Sequence, residues 1–136
     1  MKYLFIILSL LVIKPYIVKY SSPQRVDVYS GNCTCYKKTL VETNKVKYTP
    51  IGKGFGKVVI NRTAKTFNFF YDSKLIVSAK NYDSYLDGNE GGEGFTFDSS
   101  SDAHRFTAER LFRINTGMVF GGSLGYEYEI SNCIVN

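Results

Sequence analysis

Alternating apolar and polar positions organise most of this 136-residue chain. Phe67, Phe69 and Tyr71 share one face of an extended segment and Thr66 and Asn68 the other, the period-two pattern of a half-buried strand. Residues 56–63 predict a strand leading into it through a turn near Ala64-Lys65. Asp72-Ser73 then marks a turn into residues 74–80, where Leu75, Val77 and Ala79 alternate with Ile76 and Ser78. Three strands joined by short turns make a meander. Ahead of them, residues 26–36 predict a first strand carrying a Cys-x-Cys, and residues 37–51 a polar stretch ended at Pro50. Residues 83–94 read as an acidic, glycine-rich loop and 95–97 as a short strand. A closing hairpin pairs residues 118–120 with 126–135 around Gly121-Gly122-Ser123-Leu124-Gly125. Residues 102–114 satisfy two templates. Phe106, Ala108, Leu111 and Phe112 fit a helical turn set capped by Asp102, and equally a strand running through Ile114 to a turn at Asn115-Thr116-Gly117. No internal repeat and no second domain are visible.

The first residues follow a different pattern. Lys2 precedes an uncharged, mostly apolar run over residues 3–13, closed by Lys14 and Pro15. This is the layout of a secretory signal peptide, whose apolar region spans about 7–15 residues. The run falls short of the roughly 20 residues that a spanning helix needs. A retained anchor extended by Tyr16-Ile17-Val18 would place Lys14 at membrane depth, at a cost of about 2.5–3.5 kcal/mol. Residues 1–21 are therefore expected to be a leader and 22–136 a single exported β-domain, periplasmic or secreted, with no stable membrane span once the leader is removed. Residues 18–22 offer no clean pair of small residues for cleavage, and Cys33 lies too far downstream for a bacterial lipid anchor.

Composition sharpens this picture. Eleven Tyr and ten Phe, with no Trp, supply a core of strand-favouring types. Without Lys2, Lys14 and Lys19 the chain holds 14 basic and 12 acidic groups, unevenly spread. Residues 22–82 carry 11 basic and 3 acidic groups, whereas residues 83–102 carry six acidic groups and no basic one. Asp83, Asp87, Glu90 and Glu93 make that segment the candidate interaction loop.

Exported cysteines are usually paired, and this chain has three: Cys33, Cys35 and Cys133. A bridge from the Cys-x-Cys to Cys133 would close a loop of about 100 residues, worth about 4.7 kcal/mol in the chain-entropy description. Cys35 is the expected partner of Cys133, with Cys33 as the alternative, which leaves one thiol over. Only one histidine, His104, is present and no fourth ligand for zinc is apparent, so no metal site is expected.

Val59-Ile60-Asn61-Arg62-Thr63-Ala64-Lys65-Thr66 resembles the Ile-Asn-Arg-x-Thr-Gly-x-hydrophobic hairpin of small exported β-proteins from proteobacteria and their phages. Phe112-Arg113-Ile114-Asn115-Thr116-Gly117 is similar, and Cys133 matches their Gly-x-Cys ending. Ala64 stands where glycine is usual and Asn132 precedes the cysteine. The resemblance implies a compact antiparallel sheet and adds no activity.

The remaining motifs have plain structural explanations. Gly52-Lys53-Gly54-Phe55-Gly56-Lys57 suggests a phosphate cradle, but Val58 follows where Ser or Thr is needed and Ile51 stands at the first glycine position. Asp87, Asn89, Gly92 and Asp98 match positions 1, 3, 6 and 12 of a calcium loop, yet Gly91 replaces a ligand and no helices flank it. His104 has no positioned partner for acid–base work and reads as a surface side chain. Asn32-Cys33-Thr34 and Asn61-Arg62-Thr63 have the form of glycosylation sequons at chance frequency.

The fold expected is all-β, a small antiparallel sheet of seven or eight strands curled into a half-open barrel, with one short helix at 102–113 as the variant. The expected function is non-catalytic: an exported domain that binds an unknown protein or an envelope polymer through the acidic loop or the basic face, for instance as an enzyme inhibitor. A lipocalin-like carrier of a small apolar ligand is the second reading. No cofactor and no nucleic acid partner are expected.

Overall fold

The computed structural model describes residues 23–89, 91–97, 101–117 and 123–135. Nine strands occupy most of them: β1 (Val26–Glu42), β2 (Lys45–Asn61), β3 (Thr66–Tyr71), β4 (Lys74–Lys80), β5 (Asp83–Asp87), β6 (Gly92–Thr96), β7 (Asp102–Phe106), β8 (Leu111–Thr116) and β9 (Ser123–Val135). They form one antiparallel sheet in the order β4-β3-β2-β1-β9-β8-β7-β6-β5. Two meanders, β1 to β4 and β5 to β9, are joined in the middle where β9 returns beside β1. The leader segment and the expected strand at 118–120 lie outside the described residues.

The connection from β4 to β5 explains why the sheet curls. Those strands are its two outer edges, and Asn81 and Tyr82 alone link them. A flat nine-stranded sheet would hold its edges about 38 Å apart at 4.8 Å per strand. Three peptide steps from Lys80 to Asp83 reach only about 10 Å. The sheet therefore rolls into a half-barrel whose seam starts at Asn81, a residue in left-handed backbone with φ of 55°.

Rings fill the interior. Phe67 of β3 meets Phe95 of β6 at 5.4 Å, Phe97 at 4.4 Å and Phe112 of β8 at 6.0 Å between centroids. Tyr82 packs edge-on against Phe95, and Phe69 against Tyr128. Val58, Ile60, Phe67, Phe69, Phe95, Phe112, Ile114 and Ile130 are fully buried, each contributing roughly 1.5–3 kcal/mol by leaving water. Gly56 keeps its place because a Cβ there would sit 2.7 Å from Ile130 Cγ1. The run at 52–57 is thus strand with its glycines on the inner face, not a ligand loop.

Strands β3 and β4 have the bounds that the periodicity predicts, and Asp72 and Ser73, with φ of 47° and 65°, make the tight hairpin turn between them. Three expectations are corrected. Residues 83–94 are not a loop but mostly strand: β5 and β6 pair in register from Asp83↔Thr96 to Asp87↔Gly92. Residues 37–51 belong to the long β1–β2 hairpin, and Pro50 is tolerated because β3 covers β2 only from Gly56 to Asn61. The helical variant at 102–113 is absent, since β7 and β8 are two strands joined by a turn in which Arg110 has φ of 51°.

Candidate functional site

The acidic segment does not form one exposed surface. Asp83 and Asp87 lie on the edge strand β5, whereas Glu93 on β6 is 8% exposed and turned inward. Arg62, just beyond β2, donates from Nη1 and Nη2 to the two Glu93 carboxylate oxygens at 2.5 and 2.8 Å, and its Nε is paired with Asp27. Arg105 approaches Glu93 from the other side at 3.9 Å. Glu90 lies outside the described residues. The Asp87 carboxylate accepts the Asn89 amide at 3.0 Å in a local turn, and among the described residues no group of His, Cys, Asp and Glu could hold a metal ion.

The expected bridge is not made. Cys33, Cys35 and Cys133 are buried free thiols. Cys33 and Cys35 do share the inner face, but Cys35 opposes Tyr128 and Cys33 opposes Ile130. Cys133 stands five residues beyond Tyr128, roughly 16 Å along a strand, and a bridge needs Cα atoms within about 7 Å. Cys33 is nearer, yet still three residues out of register. Burial, joined by the charges of Cys35 and Asp72, pushes the Cys33 thiol up to about 12, and burial also raises Cys35 and Cys133. Such thiols are inert rather than nucleophilic. His104 is half-buried, not a surface side chain: its ring lies 4.3 Å from Phe106, and its Nε2 has no hydrogen-bond partner among the described residues.

From Lys45 to Phe55, among the described residues, β2 pairs only with β1, so this part of the β1–β2 hairpin projects as an arm. Register places Leu40, Lys38 with its partner Tyr48, Lys53 and Phe55 on the face turned away from the ring-filled interior. Lys57 follows on the same face, and Leu75 of β4 continues it through Phe70. Leu40, Tyr48, Phe55 and Leu75 are each about half exposed, at 46, 51, 52 and 49%. A solvated sheet face is normally polar, so half-exposed rings among lysines need a reason.

Where the arm meets β9, the same outer face holds a cleft of about 340 Å³ lined by Tyr36, Tyr48, Arg113, Glu127 and Glu129. Glu127 and Glu129 are two residues apart on β9 and so project side by side. The Nε of Arg113 reaches Glu127 at 3.2 Å and Glu129 at 3.3 Å. Glu127 is only 6% exposed. Burial, then its hydrogen bond to Glu129, pushes its carboxyl up to about 7, against the opposing pull of Arg113. Lys38 turns to Asn115 Oδ1 at 3.3 Å, and Asn115 in turn donates to Asp102 at 2.7 Å. Sequence reading passed over this cleft, because Glu127-Tyr-Glu129 reads as ordinary alternation and its lining comes from β1, β2, β8 and β9. Two outward acids flanking an inward Tyr128 were the only available signal.

Comparison with protein-family models, curated proteins and solved structures finds no match to this chain.

Proposed function

We propose that this protein is an exported, non-catalytic binding domain, periplasmic or secreted, that engages an anionic macromolecular partner through the outer face of the β1–β2 arm. The partner is an acidic protein surface or an envelope polymer. One observation carries the reading: Leu40, Tyr48 and Phe55, each about half exposed, share a face with Lys53 and Lys57 that no strand covers among the described residues. Rings offer contact area at low entropic cost, and lysines add attraction and faster encounter. The acidic-loop version is weaker, since Glu93 is held by Arg62 inside the fold. The carrier reading loses ground too, because Phe67 and Phe97 touch each other at 4.4 Å where a ligand would need room.

Titration calorimetry at low salt with poly-L-glutamate and with poly(glycerol phosphate) tests the proposal. Binding of either polymer is expected, weakened about tenfold by Lys53→Gln with Lys57→Gln and by a similar factor in Tyr48→Ser with Phe55→Ser. Absence of binding to both polymers, or full affinity in the Tyr48 and Phe55 variant, would overturn it.

A further inference from the structure

We propose that the cleft bounded by Tyr36, Tyr48, Arg113, Glu127 and Glu129 binds an organic cation, an alkylammonium or guanidinium head such as that of a lysine or arginine side chain. The cleft shares Tyr48 with the arm face but rests on its own acids, so Glu127→Gln, which leaves the arm's rings and lysines in place, tells the two proposals apart.

Charge balance is the first support. Two carboxylates share one guanidinium nitrogen, so the cluster is one positive charge short. Lys38 does not close the gap: it faces Asp102 as well as Glu127, so three carboxylates still meet only two cations, Arg113 and Lys38. Shape is the second. The cleft offers about 340 Å³, several times the roughly 30 Å³ share of one water molecule. Lining chemistry is the third. Tyr36 and Tyr48 flank the acids, and an aromatic ring attracts a cation through its quadrupole while giving an alkyl chain an apolar wall. An anion would meet Glu127 and Glu129 at once. A divalent metal would find two carboxylates already committed to Arg113, and no metal-holding cluster exists among the described residues.

A proton and an ammonium group compete for this site. Below neutral pH the Glu127 carboxyl takes up a proton and the deficit closes. Above it the carboxylate is charged and a ligand cation can take the proton's place. The groups that set this balance are Glu129 on β9, Arg113 on β8 and Lys38 on β1.

The test is an NMR titration of protein carrying ¹³C-labelled Glu carboxyl groups. The probes are n-pentylammonium, the blocked peptide acetyl-Gly-Lys-Gly-amide and n-pentanol. Both cations are expected to shift the Glu127 and Glu129 signals saturably at about pH 8, and affinity is expected to fall about tenfold at about pH 6, where Glu127 is mostly protonated. A tighter peptide assigns the site to a partner's lysine, and a tighter free amine to a small molecule. Glu127→Gln should abolish the effect, and Tyr48→Leu, an exposed change that spares the fold, should weaken it several-fold. The proposal fails if neither cation saturates up to about 50 mM, a concentration above the millimolar range open to such small ligands. It fails equally if pentanol gives the same shifts, or if Tyr48→Leu and Glu127→Gln both leave affinity unchanged.

Discussion

Arg62 and Glu93, 31 residues apart in sequence, are joined by two parallel hydrogen bonds of 2.5 and 2.8 Å that tie the end of β2 to β6 across the rolled sheet. Their side chains are 18 and 10% exposed, so each would leave a poorly solvated charge if the other were removed. Arg62→Met or Glu93→Gln alone is expected to cost about 3 kcal/mol in urea denaturation. The double change Arg62→Met with Glu93→Leu should recover much of that loss, since a buried pair replaced by apolar groups is often neutral. A loss in the double variant equal to the sum of the two single losses would mean that the pair is not coupled.

Glu127 makes stability fall as the solution becomes more alkaline. Its folded carboxyl titrates near 7, against an ordinary value of 4.5. The native state thus holds a proton that the unfolded chain has already lost, and the resulting stability is complete below about 4.5 and gone above about 7. Thermal midpoints are expected to drop by several degrees between about pH 5 and pH 8, and Glu127→Gln should flatten that slope. A midpoint that rises over this range in wild type and variant alike would contradict the assignment.

The three cysteines should behave as one buried class. Native protein near pH 8 is expected to take no iodoacetamide, and denatured protein three labels without prior reduction. Intact mass read in the same experiment tests export: material recovered outside the cytoplasm should lack roughly the first 21 residues, as for a cleaved leader. A denatured chain that takes one label before reduction and three after it would reveal a bridge.

Ser73 sits in left-handed backbone, with φ of 65°, beside Asp72 at 47°. Glycine relieves this conformation, so Ser73→Gly is expected to stabilise the protein by about 1 kcal/mol. Asp72 should not be changed with it, because its carboxylate accepts the Phe55 amide at 2.8 Å and anchors the arm. Equilibrium denaturation of Ser73→Gly and of Asp72→Ala should therefore move in opposite directions.

The parts of the fold legible in sequence are those where burial differs between the two faces of a strand. Phe67, Phe69 and Tyr71 alternate because only one face of β3 meets the core, and the bounds of β3 and β4 follow from that pattern. The arm was not legible: residues 40–49 are exposed on both faces apart from Val46, so nothing in their order marks a strand. β6 was hidden for the opposite reason. Its Gly92-Glu93-Gly94 has loop composition, yet Gly94 leaves room for the Tyr85 ring above it and Glu93 is neutralised by a distant arginine. A partner 31 residues away leaves no local trace. The cleft escaped in the same way, being assembled by β1–β9 pairing between opposite ends of the chain.

That pairing also sets a timetable. Of the nine described strands β1 comes earliest in the chain and β9 latest, yet they lie side by side at the centre of the sheet. While the chain is being synthesised, the meander from β1 to β4 waits with its middle edge bare, and the meander from β5 to β8 waits beside it with no common seam. Folding depends on the most distant contacts, which makes it slow. A ribosome stalled before residue 123 releases two half-sheets with raw edges, and those edges invite pairing with another chain.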